Sequence, residues 1–152
     1  MTVIFRRSET LELNLVEYRG AMTRSELRDI AKFQTDKPEL LASDCLNLVS
    51  ADADFSLIHF EALDALFEHY RMLFSPLRLE IFRRSAWLCQ GEAAEAHVSH
   101  WLSRSLQEQM SSRVKLCYSF AEAADWLLLI DAERGLLERG EGFDELARFD
   151  AP

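Results

Sequence analysis

His97 and His100 stand three residues apart in a stretch patterned as a helix, a spacing that turns two imidazoles to one side, with Glu92 and Glu95 close by. These are the residue types of a zinc or iron centre. Such a centre needs further ligands, and neither a Glu-x-x-His nor a second ligand-bearing helix accompanies the pair. His97 and His100 are therefore read as an exposed helical face, with no metal and no cofactor expected. A serine, histidine and aspartate triad can be drawn from this composition, but nothing places a nucleophile on a strained turn, so no catalysis is expected. Asp44 sits in an apolar stretch, where a carboxylate persists only if hydrogen-bonded, and it is read as capping a neighbouring amide or ending the strand. Cys45, Cys89 and Cys117 are odd in number and far apart, which fits buried free thiols in a reducing compartment, hence the cytoplasm.

The chain of 152 residues is 49% hydrophobic and 28% charged, the balance of an ordinary globular domain. Its 5 glycines are scattered, so GxGxxG, Walker A and GxSxG loops are all missing. The net charge is -9, with 8 basic and 13 acidic residues in 1–76 and 9 and 13 in 77–152. No basic half exists to release counterions from phosphate, and nucleic acid is not an expected partner. Residues 1–5 put their arginines after a short apolar stretch, the reverse of a signal peptide, and no apolar run reaches the roughly 18 residues of a membrane span.

Residues 3–7 and 11–18 read as two strands, the second alternating Leu11, Leu13 and Leu15 with Glu12, Asn14 and Val16 in the pattern of a half-buried strand. Thr23 and Glu26 form a capping box, starting a helix over 24–34 that Pro38 ends. Residues 40–46 read as a strand covered on both faces. The helix predicted over 59–74 carries an aromatic stripe; a strand over 77–89, a helix over 92–110, a strand over 114–120 and a helix over 121–130 follow. The alternation predicts an α/β fold with a mostly parallel five-stranded sheet and about four helices. Residues 1–130 form the expected domain. Residues 131–152, with 7 acidic and 3 basic residues, read as a peripheral acidic tail.

With this order of elements, Leu40-Leu41-Ala42-Ser43-Asp44, Gly20-Ala21-Met22-Thr23 with Glu26, and Phe120-Ala121-Glu122-Ala123-Ala124-Asp125-Trp126-Leu127 resemble the SpoIIAA-like proteins, bacterial relatives of the STAS anti-sigma-factor antagonists. The resemblance spans residues 3–130. It implies a SpoIIAA/STAS-like fold and a binding or regulatory role. In the founder group a serine at the start of the second helix is phosphorylated to switch partners. Ser56, in Asp54-Phe55-Ser56-Leu57, occupies that place, but Leu57 stands where the family has glycine and Asp52, Asp54 and Glu61 would repel a phosphate. Ser56 is expected to begin the second helix without acting as a phospho-switch.

The expected working surface is the second helix with its preceding loop: Phe55, Ser56, Ile58, Phe60, Leu63, Phe67, Tyr70, Met72 and Phe74. Phe55, Leu57, Ile58, Met72 and Leu73 add apolar surface beyond what one sheet face covers, with Ile58 and Met72 expected to be exposed. The sequence therefore predicts a non-enzymatic module that uses this face for a protein partner or a homodimer. The alternative is a carrier of an apolar, lipid-like ligand with contact to a membrane surface.

Overall fold

The computed structural model describes residues 2–74, 83–107 and 112–150, apart from the side chains of residues 74, 105–107 and 112. Strand β1 (Thr2–Ser8) turns through Glu12, whose φ is 50°, into antiparallel β2 (Leu13–Arg19). Helix α1 (Arg24–Asp36) follows, and the expected capping box is formed: the Glu26 carboxylate, almost fully buried, accepts the Thr23 backbone N–H at 3.1 Å and also the Thr23 hydroxyl. Then come β3 (Asp44–Val49), α2 (Phe60–Phe74), β4 (Arg83–Cys89), α3 (Glu95–Gln107), β5 (Ser112–Cys117), α4 (Phe120–Trp126), α5 (Asp131–Arg139) and β6 (Asp144–Asp150).

These elements make an α/β fold around a mixed sheet of order β5-β4-β3-β2-β1-β6. β2 through β5 run parallel to one another, while β1 is antiparallel to both β2 and β6. Among the described residues the expected five strands are therefore six, and the expected four helices five. The segment read as a peripheral acidic tail supplies the difference. Gly140, at φ 62°, caps α5 and sends the chain back along β1, and Phe149 of β6 packs edge-on against Phe33 of α1 with ring centres 6.1 Å apart.

The central strands of the sheet are buried on both faces. On one side α1, α2 and α3 cover Val3, Phe5, Val16, Tyr18, Cys45, Val49 and Cys89; on the other α4 and α5 cover Leu13, Leu15, Leu46, Ala86, Leu88 and Cys117. This overturns the half-buried reading of β2, in which every residue from Leu13 to Tyr18 is buried, because helices occupy both sides. Residues 40–46 are also corrected. Pro38 opens a short 3-10 turn (Pro38–Ala42), and the strand begins only at Asp44.

The turn is pinned by side chains from the neighbouring strands: Asn14 Nδ2 donates to the Leu40 carbonyl at 2.6 Å and an Arg83 guanidinium N–H donates to that of Leu41 at 2.9 Å. Asp44 accepts the Arg84 backbone N–H at 2.7 Å, the amide-capping role read from the sequence. No described helix is long and apolar enough to cross a membrane.

Candidate functional site

Strand positions alternate between the two faces, so the side facing α1, α2 and α3 collects every second residue. In the parallel register Asn14, Cys45, Ser85 and Val114 form one row across β2 to β5, and Val16, Asn47, Trp87 and Leu116 form the next. Three of the four residues in the first row are small and polar. Side chains that short do not fill the space beneath the helices.

A cavity of about 100 Å³ results. Its floor is Asn14, Tyr18, Cys45, Asn47, Ser85, Trp87 and Val114, and its roof is Leu27, Ile30 and Gln34 of α1, Leu63, Leu66 and Tyr70 of α2, and His97, Val98 and Trp101 of α3. Phe55, Leu41 and Arg83 close the edges. Rings dominate the wall. Tyr18 stacks on Trp87 at 5.7 Å and 20°, Phe55 lies 6.0 Å from Tyr18 and 6.1 Å from His97, and Tyr70 meets Trp101 edge-on at 5.8 Å.

The polar groups among these rings are held in place. Asn14 accepts from an Arg7 guanidinium N–H at 2.8 Å, and Asn47 Nδ2 donates to Ser85 Oγ at 3.1 Å. The Tyr70 hydroxyl donates to Gln34 Oε1, joining α2 to α1 over the cavity. His97 Nε2 donates to the Ile58 carbonyl at 2.9 Å, while its Nδ1 is buried with no hydrogen-bond partner.

Burial sets the protonation of this wall. It pushes the Cys45 thiol up to about 11, against the opposing pull of Arg83, and it raises the Tyr18 and Tyr70 phenols above their ordinary value. It lowers the Arg83 guanidinium, with Cys45 and Tyr70 working against that fall. At neutral pH the cavity therefore presents a neutral thiol, two neutral phenols and one cation. A thiol is a far weaker nucleophile than a thiolate, so Cys45 is held in its unreactive form.

The residues expected at a working surface separate in the structure. Phe55, Leu63 and Tyr70 line the cavity. Phe67 is fully buried beside it, packed edge-on to Trp101 at 5.3 Å and under the Arg104 guanidinium. Ser56, Phe60 and Met72 are exposed. Ile58, expected to be exposed, is 2% exposed and packs in the core, because the loop before α2 folds down onto the sheet. The Phe74 side chain lies outside the described residues.

Ser56 precedes α2 by four residues and does not begin it; its N–H and hydroxyl both donate to the Asp54 carboxylate, at 2.9 and 3.1 Å. His97 and His100 do share one side, as their spacing implied, but that side faces α2 and not open solvent. His100 stacks on Phe60 at 4.4 Å and 5°, and its Nε2 bonds Asp64 at 2.7 Å. Among the described residues no three His, Cys, Asp or Glu side chains converge as a metal site would need.

No family model, curated protein or solved structure matches the chain. The cavity is thus read from its own chemistry. Asn14, Asn47, Ser85, Tyr18, Trp87 and Arg83, which build most of its floor and one edge, are absent from the sequence-derived set. Their signal was available: Asn14, Asn47 and Ser85 are short polar side chains at strand positions whose neighbours two residues on are apolar and inward.

Proposed function

We propose that this protein is a non-catalytic binding module whose ligand is a small, single-ring molecule bearing one polar or anionic substituent, held in the cavity between the sheet and α1, α2 and α3. The observation that carries this reading is the pairing of ring walls with fixed polar groups around about 100 Å³ of space. That volume is well below the roughly 300 to 1,000 Å³ of drug-sized pockets, which argues for a compact ligand and against a long acyl chain. Tyr18, Trp87 and Trp101 offer faces and edges to a ring, Arg83 offers charge to an anionic substituent, and Ser85 and Asn47 offer hydrogen bonds.

Two residues of the face read for a protein partner, Phe55 and Ile58, belong to the core. What stays exposed is Leu57, Phe60 and Met72, and Met72 stands about 18 Å of helix beyond Phe60, so the three do not make one patch. The order of elements from β1 to α4 supports kinship with the SpoIIAA-like domains, and with it a regulatory role in which ligand occupancy is sensed.

Ligand-observed NMR tests the reading with phenol, benzoate, 4-hydroxybenzoate, laurate and glucose. The three ring compounds should bind with millimolar or better affinity, and laurate and glucose should not. Binding of laurate in preference to every ring compound would contradict the proposal.

A further inference from the structure

Arg24, Arg28 and Lys32 differ from every other described lysine and arginine: they make no ion pair, hydrogen bond or ring contact with any described residue. In a chain of net charge -9, with acids to spare, three unneutralised cations on one helix form an exception. They recur every fourth residue of α1, all exposed, and so form a single stripe that rises about 6 Å per step and spans about 12 Å.

The stripe borders a groove of about 490 Å³ between α1 and α2, whose lining has only Leu27 and Leu66 in common with the cavity under the helices. Leu27, Ala31, Ile58, Ala62 and Leu66 give it an apolar floor, and the alanines keep that floor low. His69 closes the far wall, its Nε2 donating to Thr35 Oγ at 2.9 Å while the Thr35 hydroxyl donates to the Ala31 carbonyl at 2.8 Å. Asp36, at the C-terminal end of α1, is the one acid on the lining.

We infer that the α1–α2 groove is a docking surface for an acidic amphipathic helix of a partner protein, its apolar side chains seated on the alanine-floored groove and its carboxylates aligned with Arg24, Arg28 and Lys32. A helix with acids at i, i+4 and i+8 repeats the 6 Å step of the stripe. One lipid head group meets a single cation of a 12 Å row. A nucleic-acid strand would need ring faces for its bases, and His69 is the only ring on the lining. The acidic remainder of the surface repels the same peptide, which restricts it to this groove.

Fluorescence anisotropy on the full chain tests the inference with four labelled probes: a helical peptide with Glu every fourth residue and Leu on the adjoining face, its Glu→Lys counterpart, a single-stranded oligonucleotide, and phosphatidylglycerol vesicles. The acidic peptide should bind saturably, with affinity falling as salt rises from 50 to 300 mM. Combining R28E and K32E should weaken it at least about tenfold, and Ala62→Leu, which fills the floor and leaves charge untouched, should weaken it as well. All these positions are at or near the surface, so unchanged melting temperatures establish that the variants are folded. Equal binding of the Lys peptide, indifference to the charge reversals, or preferential binding of vesicles or oligonucleotide would overturn the inference.

Discussion

The Tyr70 hydroxyl donates its proton to Gln34 Oε1, a bond between two helices that meet over the cavity. Tyr70 lines that cavity, and its burial keeps the phenol neutral far into the alkaline range, so the donor is present at every working pH. Tyr70→Phe removes the donor and leaves the Gln34 carbonyl without its partner. Stability should fall by about 1 to 2 kcal/mol, read from urea unfolding at pH 7.5, with the slope of the transition unchanged.

The buried thiols make a pH signature. Cys45 and Cys89 are both raised from the ordinary 9.0 to about 11, in each case by burial first. A group whose folded pKa exceeds its unfolded pKa holds its proton more tightly in the native chain, so its contribution is complete below pH 9 and is lost as pH rises toward 11. Stability should be level from pH 7 to 8.5 and then fall, with Cys45 responsible for roughly 2 kcal/mol of the decline by pH 11. Cys45→Ala lowers the plateau by removing packing and should also flatten the alkaline limb, which equilibrium unfolding at half-unit pH steps distinguishes.

Gly91 lies directly after the Gln90 N–H bonded to the Val49 carbonyl, where the loops after β3 and β4 touch. A Cβ built on Gly91 would stand 2.5 Å from the Ala51 carbonyl oxygen and 2.9 Å from its Cα, both backbone atoms that move only if the loop moves. Gly91→Ala should therefore destabilise by about 1 to 3 kcal/mol, whereas Gly142→Ala, with nothing within 4 Å but a φ of 82°, should lose less. Paired thermal melts rank the two.

Much of the fold was legible because periodicity reports burial. The α1 capping box, the amphipathic α2 and the strand–helix alternation each follow from spacing alone; the first two stand where spacing implied, while the strand read at 40–46 begins only at Asp44 and residues 77–82 of the strand read at 77–89 lie outside the described residues. β6 was not legible: Ala147 and Phe149 are its only inward apolar side chains, and Glu145, Arg148 and Asp150 around them look like an acidic tail unless β1 is known to offer a free edge. The cavity was hidden for a related reason. Asn14, Cys45 and Ser85 lie on three strands far apart in the chain, and only the parallel register brings them into one row.

Removal of β6 tests its place in the sheet. Truncation after Gly142 would bare the β1 edge and strip Phe149 from Phe33. The truncated chain should melt several degrees lower and associate with rising concentration, because unpaired strand N–H and C=O groups recruit a second chain. Light scattering over a concentration series checks this.

Tryptophan emission tests the cavity itself, since Trp87 and Trp101 line it and only Trp126 stands elsewhere. Titration with 4-hydroxybenzoate should change the emission saturably in the native chain. Val98→Phe places a ring in the same space at a cost of about 1 to 3 kcal/mol, and in folded Val98→Phe the change should vanish. A native chain that shows no saturable response to any of the three ring compounds, or a filled variant that binds as tightly as the native one, would contradict the account.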